Sequence, residues 1–365
     1  MDPETHLYLC PRHLARRPGA ELVSGELRRL VGGPLWFSAV EVLIRRPGQG
    51  ILTCVMSLPD LVVWAKEEGG GVSARVDVLL ANLCAARPGF AHAAPPARHP
   101  SVVMGILNVT PDSFSDGGDH FDPDIAITSG LTMLEAGAGI LDIGGESTRP
   151  GADPVDPKVE IQRVVPVIQA LAERGAVVSI DTRNAAVMTA ALEAGARIIN
   201  DITALTGDPA AISLAARAGV PVVLMHMQGE PQTMQANPRY GHAVLDVYDY
   251  LAERIAACRR AGIPPSQICI DPGIGFGKDL EHNLALMDYL ALFHGLGTRV
   301  LLGASRKSYI GRIVPAGHPK QRLPGSLSAA LAAQARGAQI IRVHDVTDTV
   351  QALSVASAID GWDHL

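Results

Sequence analysis

Aromatic residues are scarce: three Trp, six Tyr and six Phe amount to 4% of 365 residues. The apolar volume therefore has to come from Ala, Val, Leu and Ile, which suits helices packed closely on a parallel sheet. Cysteine is scarce as well. The five, at positions 10, 54, 84, 258 and 269, form no CxxC pair. An odd, scattered set argues against a disulfide framework and a structural zinc site, and fits a reducing, cytoplasmic setting. Positive charge is not in excess: the formal net charge is −6 and the isoelectric point about 6.0, which speaks against a nucleic-acid partner. No apolar run approaches the ~18 residues that span a bilayer, so no membrane partner is expected. The opening residues, MDPETHLYLCPRH, lack a basic-then-apolar signal pattern. Hydrophobic residues are abundant, at 47% against 19% charged. That is enough to bury a large core and to exclude intrinsic disorder.

The chain changes character near residue 100. Residues 91–100 read AHAAPPARHP, a Pro/Ala-rich stretch expected as a linker. The part before residue 101 carries a net +2 and the remainder −8. We read residues 1–90 as a small α+β accessory domain, with a hairpin over 35–46 and 51–57 and helices near 60–68 and 74–86. Beyond the linker, residues 101–365 alternate short β-branched runs with stretches of helical spacing. The runs are 102–109, 140–144, 177–182, 197–203, 220–227, 268–272, 299–305 and 339–345. Eight such units in about 260 residues match a (β/α)8 TIM barrel. A doubly wound open sheet fits less well, because no GxGxxG follows the first strand.

Nearly every run ends in a side chain that can bond or ionise: Asn108, Asp142, Asp181, Asn200 with Asp201, His226, Asp271, Ser305, and Arg342 with His344. Leaving such a group buried and unpartnered costs roughly 1–3 kcal/mol. In a barrel these ends converge on the C-terminal rim, where active sites are built. The loops after the first two runs are long, polar and glycine-rich: Asn108–Gly118 and Gly144–Gly151, the second carrying Arg149. Arg149 suits an anionic ligand, or otherwise a surface salt bridge. Ser305-Arg306-Lys307-Ser308 and Arg342-Val343-His344 place positive charge after the last two runs, the usual phosphate seat of this fold. A phosphorylated substrate is expected; the alternative is that Arg342 pairs with a carboxylate such as Asp345. Asp181, Asp201 and Asp271, with the amide of Asn200, suit either a divalent metal or a planar heterocycle with N–H donors. Interleaving with an amide and a lysine favours the heterocycle. Any one of these acids can instead cap a following helix, Asp201 most readily because Asn200 beside it points to the opposite face.

Five collinear segments carry a family resemblance: Met104–Gly118, Asp142–Gly151, Asp271–Lys278, Ser305–Ser308 and Arg342–Asp345. Together they resemble the signatures of the dihydropteroate synthases, over roughly residues 100–365. The resemblance implies a transferase of folate biosynthesis. It condenses 6-hydroxymethyl-7,8-dihydropterin diphosphate with 4-aminobenzoate, giving 7,8-dihydropteroate and pyrophosphate. It implies pterin contacts from Asp181, Asn200, Asp271 and Lys307, with Met225 and Phe276 against the ring. Arg342, His344 and Mg²⁺ held through Asn108 would offset the charge on the leaving diphosphate in an SN1-like step. Phe114, Asp116, Thr148, Arg149 and Pro150, with Lys307 and Ser308, would enclose the aminobenzoate. Lys307, Arg342, His344, Arg149 and Asp116 form the implied catalytic set. Sulfonamide inhibition and a homodimer through the late helices are implied too. Ile274 departs from the phenylalanine common in the family, a packing change. The N-terminal unit lies outside the resemblance and is assigned an assembly or stability role. The rivals are a tetrahydrofolate-dependent methyltransferase domain, which has no use for Ser305-Arg306-Lys307, and a non-catalytic pterin-binding regulator, which needs neither flaps nor diphosphate cations.

Overall fold

The computed structural model describes residues 5–16, 27–46, 48–87, 89–110, 122–147, 154–230, 233–315 and 317–361. Eight parallel strands close into one barrel in chain order: β6 (Val102–Asn108), β7 (Ile140–Gly144), β8 (Val178–Asp181), β9 (Ile198–Asp201), β10 (Val222–Met225), β11 (Ile268–Asp271), β12 (Arg299–Leu302) and β13 (Ile340–Val343). The ring is closed by β13 against β6, with Arg342 opposite Met104. The helices α3 (Pro123–Glu135), α4 (Pro157–Ala172), α5 (Ala185–Glu193), α6 (Ala211–Ala218), α7 (Ala243–Arg260), α8 (Leu280–Asp288), α9 (Ser308–Ile313), α10 (Leu323–Gln334) and α11 (Val346–Ile359) follow the strands. Their starts are chemically marked. Asp122 and Asp156 cap α3 and α4, each with Pro in the first turn, and Asp279 with His282 forms a capping box on α8. The extra helix α9 follows Lys307, where the sequence reading places only a polar loop.

Alternation along the strands explains how the barrel is filled. Val102, Met104, Ile140, Ile198, Val223, Cys269, Leu301 and Ile340 form one buried inner cluster, with Phe90 and Ala93 packed into it from below. Two residues further along the same faces come Asp142, Asn200, Asp271 and Arg342. Strand side chains repeat with period two, so these four enter the same bore, one layer higher. The interior is thus hydrocarbon at its base and ionic towards the C-terminal end. The outward residues between them, such as Leu141, Ile199, Ile270 and Ile341, join the cluster beneath the helices.

Before the barrel lies a three-stranded antiparallel sheet in the order β1 (His6–Arg12), β4 (Ala39–Arg45), β5 (Ile51–Ser57), with a small ladder of β2 (Arg28–Arg29) and β3 (Trp36–Phe37). The hairpin of β4 and β5 pairs Ala39 with Ser57 and Arg45 with Ile51. Helices α1 (Leu58–Glu67) and α2 (Gly70–Cys84) follow. Strand β1 escapes the sequence reading because its acidic start and Pro11 mask the alternation. Leu7, Leu9, Val40 and Val42 face α1 and α2, whereas Tyr8, Cys10 and Leu43 join the barrel's cluster. Strands β1 and β4 thus form a middle layer covered on both faces, whereas β5 is an edge strand with Leu52 to Val55 exposed. Among the described residues no helix is long and apolar enough to cross a membrane.

Candidate active site

The ionic layer of the bore is a connected network. Arg342 Nε donates to Asp142 Oδ2 at 2.6 Å, and its Nη2 donates to Asp181 Oδ2 at 2.6 Å. Asn200 Nδ2 donates to the same Asp142 oxygen at 2.9 Å. β7, β8, β9 and β13 are thereby joined through side chains across the interior. The other Asp142 oxygen is buried with no partner among the described residues. Arg342 therefore does not face an open anion seat. It lies between two carboxylates, and Asp345, the alternative partner, is bound by Arg306 instead. A guanidinium buried in a strand needs compensating charge, and the nearest acids of the bore supply it.

Asp271 occupies the opposite wall. Its Oδ1 accepts from Gly273 N at 2.7 Å, opening the 271–278 turn. Gly273 has φ +72°, and a Cβ there would stand 1.9 Å from His226 O. Only glycine lets this turn lie so close to the end of β10. On the turn, Ile274 O accepts from Lys307 Nζ, which lies 4.5 Å from the centre of the Phe276 ring. Lys307 is aimed inward by its neighbour. Arg306 adopts φ +58°, gives its N–H to Ser326 Oγ at 2.8 Å and sends its guanidinium outward to Asp345. Gly303 leaves room between the two walls: a Cβ there would lie 3.4 Å from Asp271 Oδ2 and 3.8 Å from Arg342 Cβ.

Burial governs the charge states. It pushes Asp181 up to about 7 against the pull of Arg342, with Asp142 adding to the rise. It also raises Asp271, opposed by Lys307 and the Gly273 N–H. Lys307 is pushed down to about 8 by burial, which Asp271 resists and Arg342 reinforces. Burial lowers Arg342 too, but Asp142 and Asp181 outweigh it and hold the guanidinium above its ordinary range. The layer can thus present acceptors, donors and a titratable carboxylate to one flat polar ligand.

The remaining expected residues fall into place to different extents. Met225 is buried at the end of β10, and Phe276 is half-buried on the turn. His344 Nδ1 stands 3.1 Å from Ser305 Oγ beside β13, and Ser308 is exposed at the start of α9. Asn108 is half-buried at the end of β6, opposite Gly144, and its side-chain amide has no hydrogen bond among the described residues. Among those residues no three His, Cys, Asp or Glu side chains gather into a metal cluster. A lone amide oxygen nevertheless fits Mg²⁺, which takes few protein ligands beside phosphate oxygens and water. Asp201 is a structural cap: its carboxylate accepts from Thr203 N, Thr203 Oγ1 and Leu205 N at 2.7–3.0 Å, holding the turn after β9. Phe114, Asp116, Thr148, Arg149 and Pro150 lie outside the described residues.

Two residues that the sequence reading names, Asp142 at the rim and Lys278 at the end of a segment, receive no site role there. Asp142 shares the inward face of Ile140, and that two-residue spacing was the available signal. Lys278, the last residue of the Asp271–Lys278 segment, is fully buried. Its Nζ lies 2.9 Å from His226 Nδ1 and donates to Phe276 O at 2.9 Å and His226 O at 3.3 Å, fastening the turn to β10. Nothing in the sequence distinguishes this lysine from a rim ligand.

Comparison with known proteins identifies the family of the barrel. A family model described as pterin binding enzyme matches residues 104–344. The chain is 51% identical over 261 residues to the dihydropteroate synthase of Escherichia coli K12, covering 71% of this chain and 92% of the relative. Identity to that of Neisseria meningitidis serogroup B is 49%, over 70% of this chain and 92% of the relative. A Yersinia pestis dihydropteroate synthase solved with a sulfonamide drug superposes with a TM-score of 0.68 at 48% identity, covering 73% of this chain and 96% of that one. The Xanthomonas albilineans enzyme in complex with 7,8-dihydropteroate gives 0.67 at 43%, covering 75% and 99%.

Proposed function

We propose how this chain, which belongs to the dihydropteroate synthases among the pterin binding enzymes, uses the mouth of its barrel. As a dihydropteroate synthase it is a transferase that joins a dihydropterin methyl diphosphate to 4-aminobenzoate, giving 7,8-dihydropteroate and pyrophosphate. The observation that carries the assignment of residues is the facing of two walls inside one bore: Asp271 with Lys307 on one side, and Asp181, Asp142 and Asn200 around Arg342 on the other.

In our reading the 2-amino group and adjacent ring N–H of the pterin donate to Asp271. Asp181 and Asn200 meet the other edges, and Met225 and Phe276 cover the ring. Lys307 donates to the ring edge from its seat beside Phe276. Arg342 bonds Asp142 and Asp181 and adds positive charge to the bore, His344 lies towards the diphosphate, and Ser308 lies with Lys307 beneath the aminobenzoate. Asn108 would hold Mg²⁺, whose charge stabilises diphosphate as a leaving group. The C–O bond at the exocyclic carbon breaks with its electron pair leaving on the diphosphate. The cation is spread over the electron-rich dihydropterin, the arylamine nitrogen attacks it, and the alkylated amine then loses a proton. Phe114, Asp116, Thr148, Arg149 and Pro150 complete the aminobenzoate enclosure in this scheme and exclude water from the cation. Sulfonamides compete with 4-aminobenzoate there, as the drug-bound Yersinia pestis structure supports.

A cytoplasmic location belongs to the same proposal and is supported by cysteines that are all free. So does a homodimer through the late helices, supported by Val355 and Ile359, exposed on α11. The test of the whole is pyrophosphate release: it should require 4-aminobenzoate and Mg²⁺ together, and release without the arylamine would defeat the assignment.

A further inference from the structure

The N-terminal sheet touches the barrel at a point connected to the pterin turn. Glu41, Leu43 and Arg45 alternate on the barrel-facing side of β4. Arg45 Nη1 donates to Asp249 Oδ2 at 3.0 Å and Nη2 to Asp246 Oδ1 at 2.5 Å, both on α7. Tyr8 of β1 donates its hydroxyl to Asp249 at 2.8–2.9 Å and stacks edge-on against Tyr248 at 5.2 Å. Asp246 has a second task. Its other oxygen accepts from Gly241 N at 2.8 Å and His242 N at 3.0 Å. One carboxylate therefore holds the accessory sheet by one atom and the end of the β10–α7 loop by the other.

That loop bears directly on the turn assigned to the pterin. Tyr240, adjacent to Gly241, donates its hydroxyl to Gly277 O at 2.7 Å, and Gln235 Nε2 donates to Gly275 O at 2.5 Å. Gln228 is bonded in both directions to the backbone of Arg239, which keeps the two ends of the loop together. Gly275 and Gly277 flank Phe276, whose ring carries Lys307. Hydrogen bonds thus run from Arg45 through Asp246 to Gly241 and, across one peptide bond, from Tyr240 to Gly277.

We propose that the N-terminal unit braces the pterin pocket, with Arg45 and Asp246 as positioning residues that set the β10–α7 loop against the 271–278 turn. The inference rests on reading that turn as the pterin seat. Arg45 is partly exposed and touches no substrate, so its effect reaches the ligand only through Asp246. The two residues therefore behave as a single coupled element.

The test is steady-state kinetics on the full-length chain for R45M, D246A, the double variant and R45K. In R45M and D246A the KM for the pterin diphosphate should rise about three- to ten-fold. The KM for 4-aminobenzoate and kcat should stay within about two-fold, and the melting temperature close to wild type. The double variant should be no worse than D246A, and R45K, which keeps the charge but not the fork, should fall between R45M and wild type. A wild-type pterin KM in R45M overturns the brace. So do additive losses in the double variant, or a loss shared equally by both substrates and tracked by melting temperature. Wild-type chain that forms no dihydropteroate would instead defeat the proposed function. In that case the affinity of R45M and wild type for the pterin substrate alone still decides the brace.

Discussion

Arg342 and Asp181 meet at 2.6 Å inside the barrel, the guanidinium of the last strand donating to the carboxylate of the third. The pair joins strands that are not neighbours in the sheet, and Asp142 makes it a triad. Removing the cation leaves two largely buried acids without their counter-charge. R342M should lose about 3–5 kcal/mol of stability, read from urea denaturation. A variant as stable as wild type would show that water relieves the acids.

The raised Asp181 gives a pH dependence with a definite sign. A carboxyl that titrates at about 7 when folded and near 3.8 otherwise takes up a proton on folding between those values. Its contribution to stability is therefore greatest at the acid end and falls as pH rises from about 4 to 7. Urea midpoints of wild type and D181N across that range should diverge, the slope being shallower in D181N. Parallel slopes would place the titration elsewhere. Pterin affinity should move the opposite way, weakening below pH 7 as the acceptor is lost.

Lys307 is held by Ile274 O and the Phe276 ring at the edge of the bore. K307A should lower kcat/KM for the pterin diphosphate at least about 100-fold and abolish measurable pterin binding. Near-normal turnover would remove Lys307 from the site.

Asn108 is the proposed sole protein ligand of Mg²⁺. N108A should raise the Mg²⁺ concentration for half-maximal rate about ten-fold and leave binding of a diphosphate-free pterin unchanged. An unaltered Mg²⁺ titration would assign the ion to other groups.

Much of this was legible in the sequence because two periodicities are simple. Eight apolar runs separated by helical spacing specify the barrel, and Ile140–Asp142, Ile198–Asn200, Cys269–Asp271 and Ile340–Arg342 show a polar residue two places beyond an apolar one on the same face. Which polar groups pair was not legible. Partners across a bore depend on strand stagger and tilt, so Arg342 meets Asp142 and Asp181 rather than the adjacent Asp345. Lys278 was hidden for a similar reason: its role depends on how tightly the 271–278 turn lies on His226. The N-terminal sheet was legible only as a hairpin, because β1 is defined by its pairing with β4 and by Tyr8 reaching Asp249, 241 residues away in sequence.

The hydrocarbon base of the barrel, stoppered by Phe90 and Ala93, makes the bore a blind well. A ligand held by the ionic layer can therefore enter only from the C-terminal end, and in the proposed assignment the bicyclic reactant has its anchors there. On the proposed assignment this fixes a sequence that binding experiments can check: pterin should bind the free protein, and 4-aminobenzoate should bind only once the pterin, or pyrophosphate with it, is in place.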